Sequence, residues 1–515
     1  MPHSTAPGPM RPEEVDEDGI LPDAPQQVSD HTKEEGKTDM IDSASQSEDS
    51  TSEAPRIDVN VEDLFDDADD DEEDEFSGSK VLNPGNESSP PEAPLPFAQS
   101  AKYTDPEVML AFYQRLFPFR YLYQWLNHSM KPSNDFGHRE FAFTLQNDAY
   151  LRYQSFPTGD LLRREILRLN PSRFEIGPVY TANPRDRKTL RKSTAFRPMA
   201  KELVFDIDLT DYDEIRTCCN KANICHKCWS FVTMAIKVVD AALREDFGFQ
   251  HIMWVYSGRR GAHAWISDKR ARNMDDQKRK ALAGYLEVIK GGAQSGKKVN
   301  VKRPLHPHLA RSLDILKEHF QRDILEDQDP WAEPEKAERL LRLLPDKVLN
   351  DSLRKKWDAA PGRSSVSKWA DIDALAKTGA SKTLDGRALL EAKQDIVLEY
   401  TYPRLDIEVS KKKIHLLKSP FVIHPGTGRV CVPIDTKRLA KFDPLGVPTV
   451  TELLGEIDAF DEQTTKEESD VKKTQDYEKT GLRPYVEYFR TYVAGLLREE
   501  KGVKRERETD NAMEF

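Results

Sequence analysis

The sequence predicts an α/β body of the α+β kind, and three observations carry that expectation. Residues 202–209 and 251–256 read as strands, residues 229–246 between them repeat with helical period, and residues 308–392 carry helical signals throughout. At roughly 100–200 residues per domain, 515 residues allow several modules. Five cysteines are too few for a secreted disulfide scaffold. A mean hydropathy of −0.69, with no long unbroken apolar run, excludes a transmembrane helix. The first residues lack the apolar stretch of a secretory signal, so a soluble intracellular protein without membrane contact is expected.

The formal charge of −13 misleads about the body of the chain. Residues 1–96 hold 28 acidic and 5 basic residues; removing these from the totals of 89 and 76 leaves 61 acidic and 71 basic, a net of +10. A basic body permits a polyanionic partner without demanding one. Residues 1–100 are rich in Pro, Ser, Asp and Glu and read as a disordered acidic tail. Around its acidic block at 66–75, Leu64, Phe65 and Phe76 are either incidental or the anchors of a short binding segment.

Order is expected from about residue 101. Residues 106–125 read as an amphipathic helix that Pro118 ends or kinks, and residues 139–153 as a strand pair around Gln146, Asn147 and Asp148. Strand 202–209, helix 229–246 (stopping at Gly248) and strand 251–256 follow. A first body part thus spans 101–307, a helical insertion 308–392 and a second body part 393–455, with strand signals from 396 through 432. A flexible linker at 456–480, a helix at 481–498 and a frayed charged tail at 499–515 complete the division.

In a strand, side chains alternate between faces. Leu203, Phe205, Ile207 and Leu209 then face a core, while Asp206 and Asp208 share the other face about 7 Å apart. Two such carboxylates repel unless a cation sits between them, and oxygen-ligating Mg²⁺ or Mn²⁺ suits them. Residues 404–409 repeat the arrangement, with Leu405, Ile407 and Val409 on one face and Asp406 and Glu408 on the other. If the strands are neighbours, Asp406 completes a cluster for two divalent ions; otherwise both are ordinary edge strands with polar outer faces.

Between these strands Ser257-Gly258-Arg259-Arg260-Gly261 places two arginines in a tight turn, with His263 just beyond. Guanidinium forks suit phosphate oxygens; His263 is either a phosphate donor or a satisfied structural histidine. After Asp406, Lys418 and His424 flank an apolar run and can aim at a triphosphate, whereas Lys411, Lys412 and Lys413 read as a solvated loop. Carboxylates beside cationic loops suggest phosphoryl or nucleotidyl transfer. Cys218, Cys219, Cys225 and Cys228 fall within eleven residues and read as one structural Zn²⁺ site, a redox dithiol being the alternative. His226 either replaces one ligand or, set between two cysteines, points outward; Cys431 is a buried apolar residue.

These segments, in this order, closely resemble the small catalytic subunit of archaeal and eukaryotic DNA primase in its eukaryotic form. The matching pieces are 139–141 with 150–156, 202–213 (ELVFDIDLTDYD), the cysteine cluster, 257–263 and 404–435 (RLDIEVSKKKIHLLKSPFVIHPGTGRVCVPID). The resemblance runs from about residue 100 to 455 and thins in the helical insertion; the acidic extension departs from the pattern.

The resemblance implies a mixed-sheet "prim" catalytic fold with a helical subdomain and an embedded zinc site. Asp206, Asp208 and Asp406 would be the metal-binding catalytic triad. Ser257, Arg259, Arg260, His263, Lys418 and His424 would hold the incoming nucleotide, with Arg152, Tyr150 and Glu140 nearby. The activity implied is synthesis of short RNA primers from NTPs on single-stranded DNA, using two Mg²⁺ or Mn²⁺ ions and one structural Zn²⁺. A large iron–sulfur primase subunit, the catalytic and accessory subunits of DNA polymerase α and a nuclear location are implied with it. Two rivals remain: a repair or bypass primase-polymerase preferring deoxynucleotides, and a catalytically silent nucleic-acid-binding module of the same fold.

Overall fold

The computed structural model describes residues 102–289, 298–379, 381–464 and 474–513, with side chains described through Gly502. The acidic tail and its Leu64, Phe65 and Phe76 lie outside the described residues. Two helices come first, α1 (Pro106–Arg115) and α2 (Phe119–Asn127). Pro118 separates them as the N-cap of α2, since it has no N–H to continue the ladder of α1.

β1 (Arg139–Thr144) and β2 (Tyr150–Gln154) form the antiparallel pair expected around Gln146–Asp148. After α3 (Gly159–Leu169), β3 (Arg173–Tyr180) adds to the other edge of β1, followed by β4 (Pro198–Ala200). The second sheet is built from β5 (Leu203–Asp208), then α4 (His226–Glu245), β6 (Ile252–Tyr256) and β7 (Gly261–Ile266), in the order β5-β7-β6. Every pairing among the described strands is antiparallel, so the mixed sheet implied by the resemblance is replaced by two antiparallel ones. The hairpin joining β6 to β7 places β7 between β5 and β6, so these two strands, which run in the same direction, never pair.

After α5 (Asp276–Leu286), every regular element from Pro307 to Thr401 is helical. These are α6 (Pro307–His319), its π-helical continuation Phe320–Gln328, α7 (Pro334–Leu343), α8 (Lys347–Asp358), α9 (Ser365–Lys377) and α10 (Gly386–Thr401). The strand signal expected from 396 is therefore overturned: Ile396, Leu398 and Tyr400 are buried in the last turns of α10. A short apolar run fits a buried helix end as well as a strand.

β8 (Leu417–Lys418) joins β3 of the first sheet and β9 (Pro433–Ile434) joins β6 of the second, so the segment between them ties the sheets together. α11 (Val450–Thr464) occupies the start of the expected linker, and a 3₁₀ turn at Asp476–Lys479 its end. α12 (Arg483–Met513) runs on where a frayed tail was expected after 498. Its Glu499 and Glu500 pair with His251 and Arg272, which gives the extra turn partners beyond its own backbone. Trp125 meets both Trp265 of β7 and Phe489 of α12 edge-on, and its indole N–H donates to Ser267 Oγ at 2.8 Å. No helix among the described residues is long and apolar enough to cross a membrane.

Candidate active site

Alternation along β5 works as its sequence requires: Leu203, Phe205 and Ile207 are fully buried while Asp206 and Asp208 are half-exposed on the opposite face. β7 pairs with one edge of β5, setting His263 opposite Asp206 and Gly261 opposite Asp208. On the other edge Asp406 makes an isolated antiparallel bridge to Asp206, its N–H donating to the Asp206 carbonyl at 3.2 Å. Residues facing each other in this way have Cβ atoms about 4.5–5.5 Å apart. Two hundred residues of chain thus bring a third carboxylate beside the first two.

The segment carrying Asp406 is not the six-residue strand expected at 404–409. Only Asp406 pairs; its Oδ1 accepts the Glu408 N–H at 3.0 Å, and Glu408 opens a helical turn, Glu408–Lys411. A local carboxylate-to-backbone bond has displaced the ladder, and Glu408 turns to Lys411 instead of sharing a face with Asp406. Arg404 N donates to Tyr212 Oη at 2.9 Å and Ser410 Oγ to the Val204 carbonyl at 2.6 Å, so both flanks of Asp406 are fixed.

Burial, then the charges of Asp208 and Asp406, push the Asp206 carboxyl up to about 7. Asp211, unnoticed in the sequence although it closes the run after Asp208, is pushed up to about 6 by burial and the same neighbours. Carboxylates crowded and buried in this way favour a nearby positive charge, and an all-oxygen donor set suits Mg²⁺ or Mn²⁺. Asp208 has one cationic partner already: Arg260 Nε lies 2.8 and 2.7 Å from its two oxygens.

The loop between β6 and β7 needs both its glycines. Gly258 has φ +91°, and a Cβ there would stand 2.5 Å from His424 Cβ. Ser257 N–H donates to the Gly261 carbonyl at 2.9 Å and Gly261 N–H to Ser257 Oγ at 3.0 Å. Lys418 Nζ reaches the Ser257 carbonyl at 3.4 Å, and Thr427 Oγ1 donates to the Gly258 carbonyl at 2.7 Å. Arg259 lies against the 424–428 turn, its Nη1 only 3.4 Å from a Cβ placed on Gly426.

Burial, then Lys418, push both His263 and His424 down to about 3, so both rings are neutral near pH 7. His424 Nδ1 accepts the Gly426 N–H at 3.0 Å, which leaves the ring proton on Nε2. His263 Nε2 is 3.5 Å from Asp206 Oδ1.

Lys418 also faces Glu175 across the β3–β8 pairing, and Glu175 accepts from Tyr150 Oη at 2.6 Å. The first sheet is joined to the loop this way. Glu140 is fully buried, its carboxylate taken by Arg152 Nε (3.1 Å), Tyr153 N (3.2 Å) and Tyr180 Oη (3.0 Å), so it holds Arg152 and has no oxygen facing a ligand. Glu175 and Arg173, which adds positive charge beside His424, were missed. Alternation along β3 could have offered them, but nothing in its spacing pairs them with Lys418.

A profile of the DNA primase small subunit matches residues 205–436, from the third residue of β5 past β9. Across 421 residues the chain is 55% identical to the DNA primase small subunit of Schizosaccharomyces pombe, covering 78% of this chain and 92% of that one. The Saccharomyces cerevisiae protein of that name is 46% identical over 405 residues (78% and 94% covered), and the Drosophila melanogaster one 39% over 406 (77% and 92%). The chain belongs to the DNA primase small subunit family. The eukaryotic form that the motifs resemble is the one these fungal and fly relatives represent.

In this primase small subunit the four clustered cysteines converge: the sulfurs of Cys218, Cys219, Cys225 and Cys228 all lie within 4.8 Å of one another. Tetrahedral zinc with Zn–S near 2.3 Å sets sulfurs about 3.8 Å apart, so the set could hold a metal ion. The contact with Cys228 pushes the Cys218 thiol up, and that with Cys218 draws Cys228 down. Gln328 Nε2 reaches Cys218 Sγ at 3.4 Å. His226 turns away to Asp443 at 3.0 Å, and Cys431 is buried beside Gly258. Cys225 caps α4, and Trp229 one turn later packs edge-on against Tyr256, the residue before the 257–261 loop.

Proposed function

We propose that this chain is the catalytic subunit of a DNA primase, joining NTPs into short RNA primers on a single-stranded DNA template. The observation that carries the reading is the bridge placing Asp406 beside Asp206 and Asp208, next to a cationic pocket. Two Mg²⁺ or Mn²⁺ ions held by Asp206, Asp208 and Asp406 would activate the attacking 3′-hydroxyl and offset charge on the departing pyrophosphate. Lys418, Arg259 and Arg260 supply positive charge toward the triphosphate. His424 donates from Nε2 and Ser257 from its hydroxyl, each already oriented by a backbone N–H. His263 holds the Asp206 side of the pocket, Glu140 orients Arg152, and Tyr150 works through Glu175 and Lys418.

Cys218, Cys219, Cys225 and Cys228 hold a structural zinc on this reading, with no ligand position left for chemistry. A small subunit implies a large one; with it come DNA polymerase α as assembly partner and the nucleus as location. The test is dinucleotide synthesis from NTPs on poly(dT). Asp406→Asn is expected to lower the rate roughly 10²-fold or more, and NTPs to be used in preference to dNTPs. Wild-type-like activity in Asp406→Asn would sink the proposal.

A further inference from the structure

Residues 184–197 form a strongly basic surface stretch that the candidate site does not use. Arg185, Arg187, Lys188, Arg191, Lys192 and Arg197 stand there against a single acid, Asp186. Lys188, Arg191 and Lys192 are exposed, and none has an ion-pair partner within 4.0 Å among the described residues.

An ordinary solvated loop would leave all these cations loose, yet three guanidinium groups here lie on rings. Arg187 lies 3.9 Å over the Tyr153 ring, Arg152 lies 5.0 Å from the same ring, and Arg185 lies 4.7 Å over Phe156. Phe196 stacks on Tyr180 at 4.0 Å with 7° between the planes. Tyr153 is half-exposed and held at φ +59°, a left-handed conformation uncommon for an aromatic residue, with its N–H fixed by Glu140. The stretch therefore combines unpaired cations with ordered π-faces, and Arg152, which shares the Tyr153 ring, lies on β2 two residues from Tyr150, whose hydroxyl bonds the Glu175 that faces Lys418.

Free ammonium and guanidinium groups suit a phosphate backbone, and partly exposed aromatic and guanidinium planes suit unstacked bases. Resting on the priming reading above, we infer that residues 184–197, together with Arg152 and Tyr153, seat the single-stranded DNA template. Lys188, Arg191, Lys192 and Arg197 meet its phosphates, and the Arg187–Tyr153 stack meets an unpaired base.

The test uses the full chain with fluorescent (dT)20 across 50–200 mM salt. The triple variant Lys188→Ala/Arg191→Ala/Lys192→Ala is expected to lose roughly tenfold or more in affinity at low salt. Its log–log salt slope should flatten by about 2, three phosphate contacts at ~0.7 each. The KM for template should rise while the KM for NTP holds. The charge-keeping Lys188→Arg/Arg191→Lys/Lys192→Arg variant should restore binding, which separates charge from misfolding. Tyr153→Leu should weaken binding without altering the slope. Unchanged affinity and slope in the alanine triple, or an equal loss on duplex DNA, overturns the inference even if priming is intact. A wild type that binds (dT)20 through these residues but makes no dinucleotide instead overturns the priming reading alone.

Discussion

At Gly261 a single hydrogen separates the 257–261 loop from β5, since a Cβ there would stand 2.0 Å from the Ile207 carbonyl oxygen. No rotamer relieves a clash with backbone, so Gly261→Ala must part β5 from β7 where Asp206 and Asp208 are held. A loss of about 2 kcal/mol or more is expected in urea unfolding, with activity falling alongside. A second residue-scale consequence lies in His424. Its folded pKa, about 3, is below the ~6.5 of an unfolded histidine. The unfolded chain therefore takes up the proton first, and stability drains away as pH falls from 6.5 toward 3. At pH 5 this one ring should cost on the order of 1–2 kcal/mol. Melting temperatures at pH 7.5 and 5.0 should lie closer together in His424→Gln than in wild type; an equal gap would show that His424 is not held neutral.

At the scale of elements, α4 links the cysteine cluster to the 257–261 loop through Trp229 and Tyr256. If the cluster holds zinc, its loss should therefore reach the 257–261 loop. A chelator, or Cys228→Ala, is expected to lower the melting temperature and raise the KM for NTP together, with elemental analysis showing one zinc per chain beforehand. A metal-free protein with the same melting temperature and KM would remove zinc from the account. The legibility of these elements followed their physics. β5 could be read because a half-buried strand writes its alternation directly into the sequence, as Leu203, Phe205 and Ile207 do around Asp206. Residues 404–409 carry the same alternation, yet only Asp406 bridges, because its own carboxylate bonds the Glu408 N–H and ends the ladder. Periodicity does not register that competition. Residues 396–401 misled because Ile396 and Tyr400, one helical turn apart, also sit in a run short enough to pass for a strand. Residues 456–464 looked like a linker because their acids mask an amphipathic helix whose buried side, Leu453 and Ile457, lies near its start. The site could be read where chemistry is local, in the Ser257–Gly261 turn and the cysteines. It could not where contacts cross sheets, as Glu175 does with Lys418.

Over the whole molecule, the carboxylate face of β5 depends on what anchors the strand's other end. Glu202, immediately before β5, is fully buried; burial alone would raise its carboxyl, but Arg139 and His128 hold it well below the usual range. Arg139 binds it through two nitrogens at 2.7 and 3.0 Å, and His128 Nε2 lies 3.1 Å away. His128 in turn meets Asp135 at 3.1 Å, Asp135 meets Arg272 at 3.3 Å, and Arg272 pairs with Glu500 of α12. First sheet, second sheet and C-terminal helix thus share one chain of charges ending four residues from Asp206. Such a network contributes little beyond a well-packed apolar equivalent, but losing one member strands a buried charge. Arg139→Met should cost about 3–5 kcal/mol in urea unfolding. Adding Glu202→Gln should recover a large part of that, because the stranded charge goes with it. If the double variant is as unstable as the sum of the two singles, Arg139 acts by packing alone, and β5 is positioned by its apolar face rather than by this anchor.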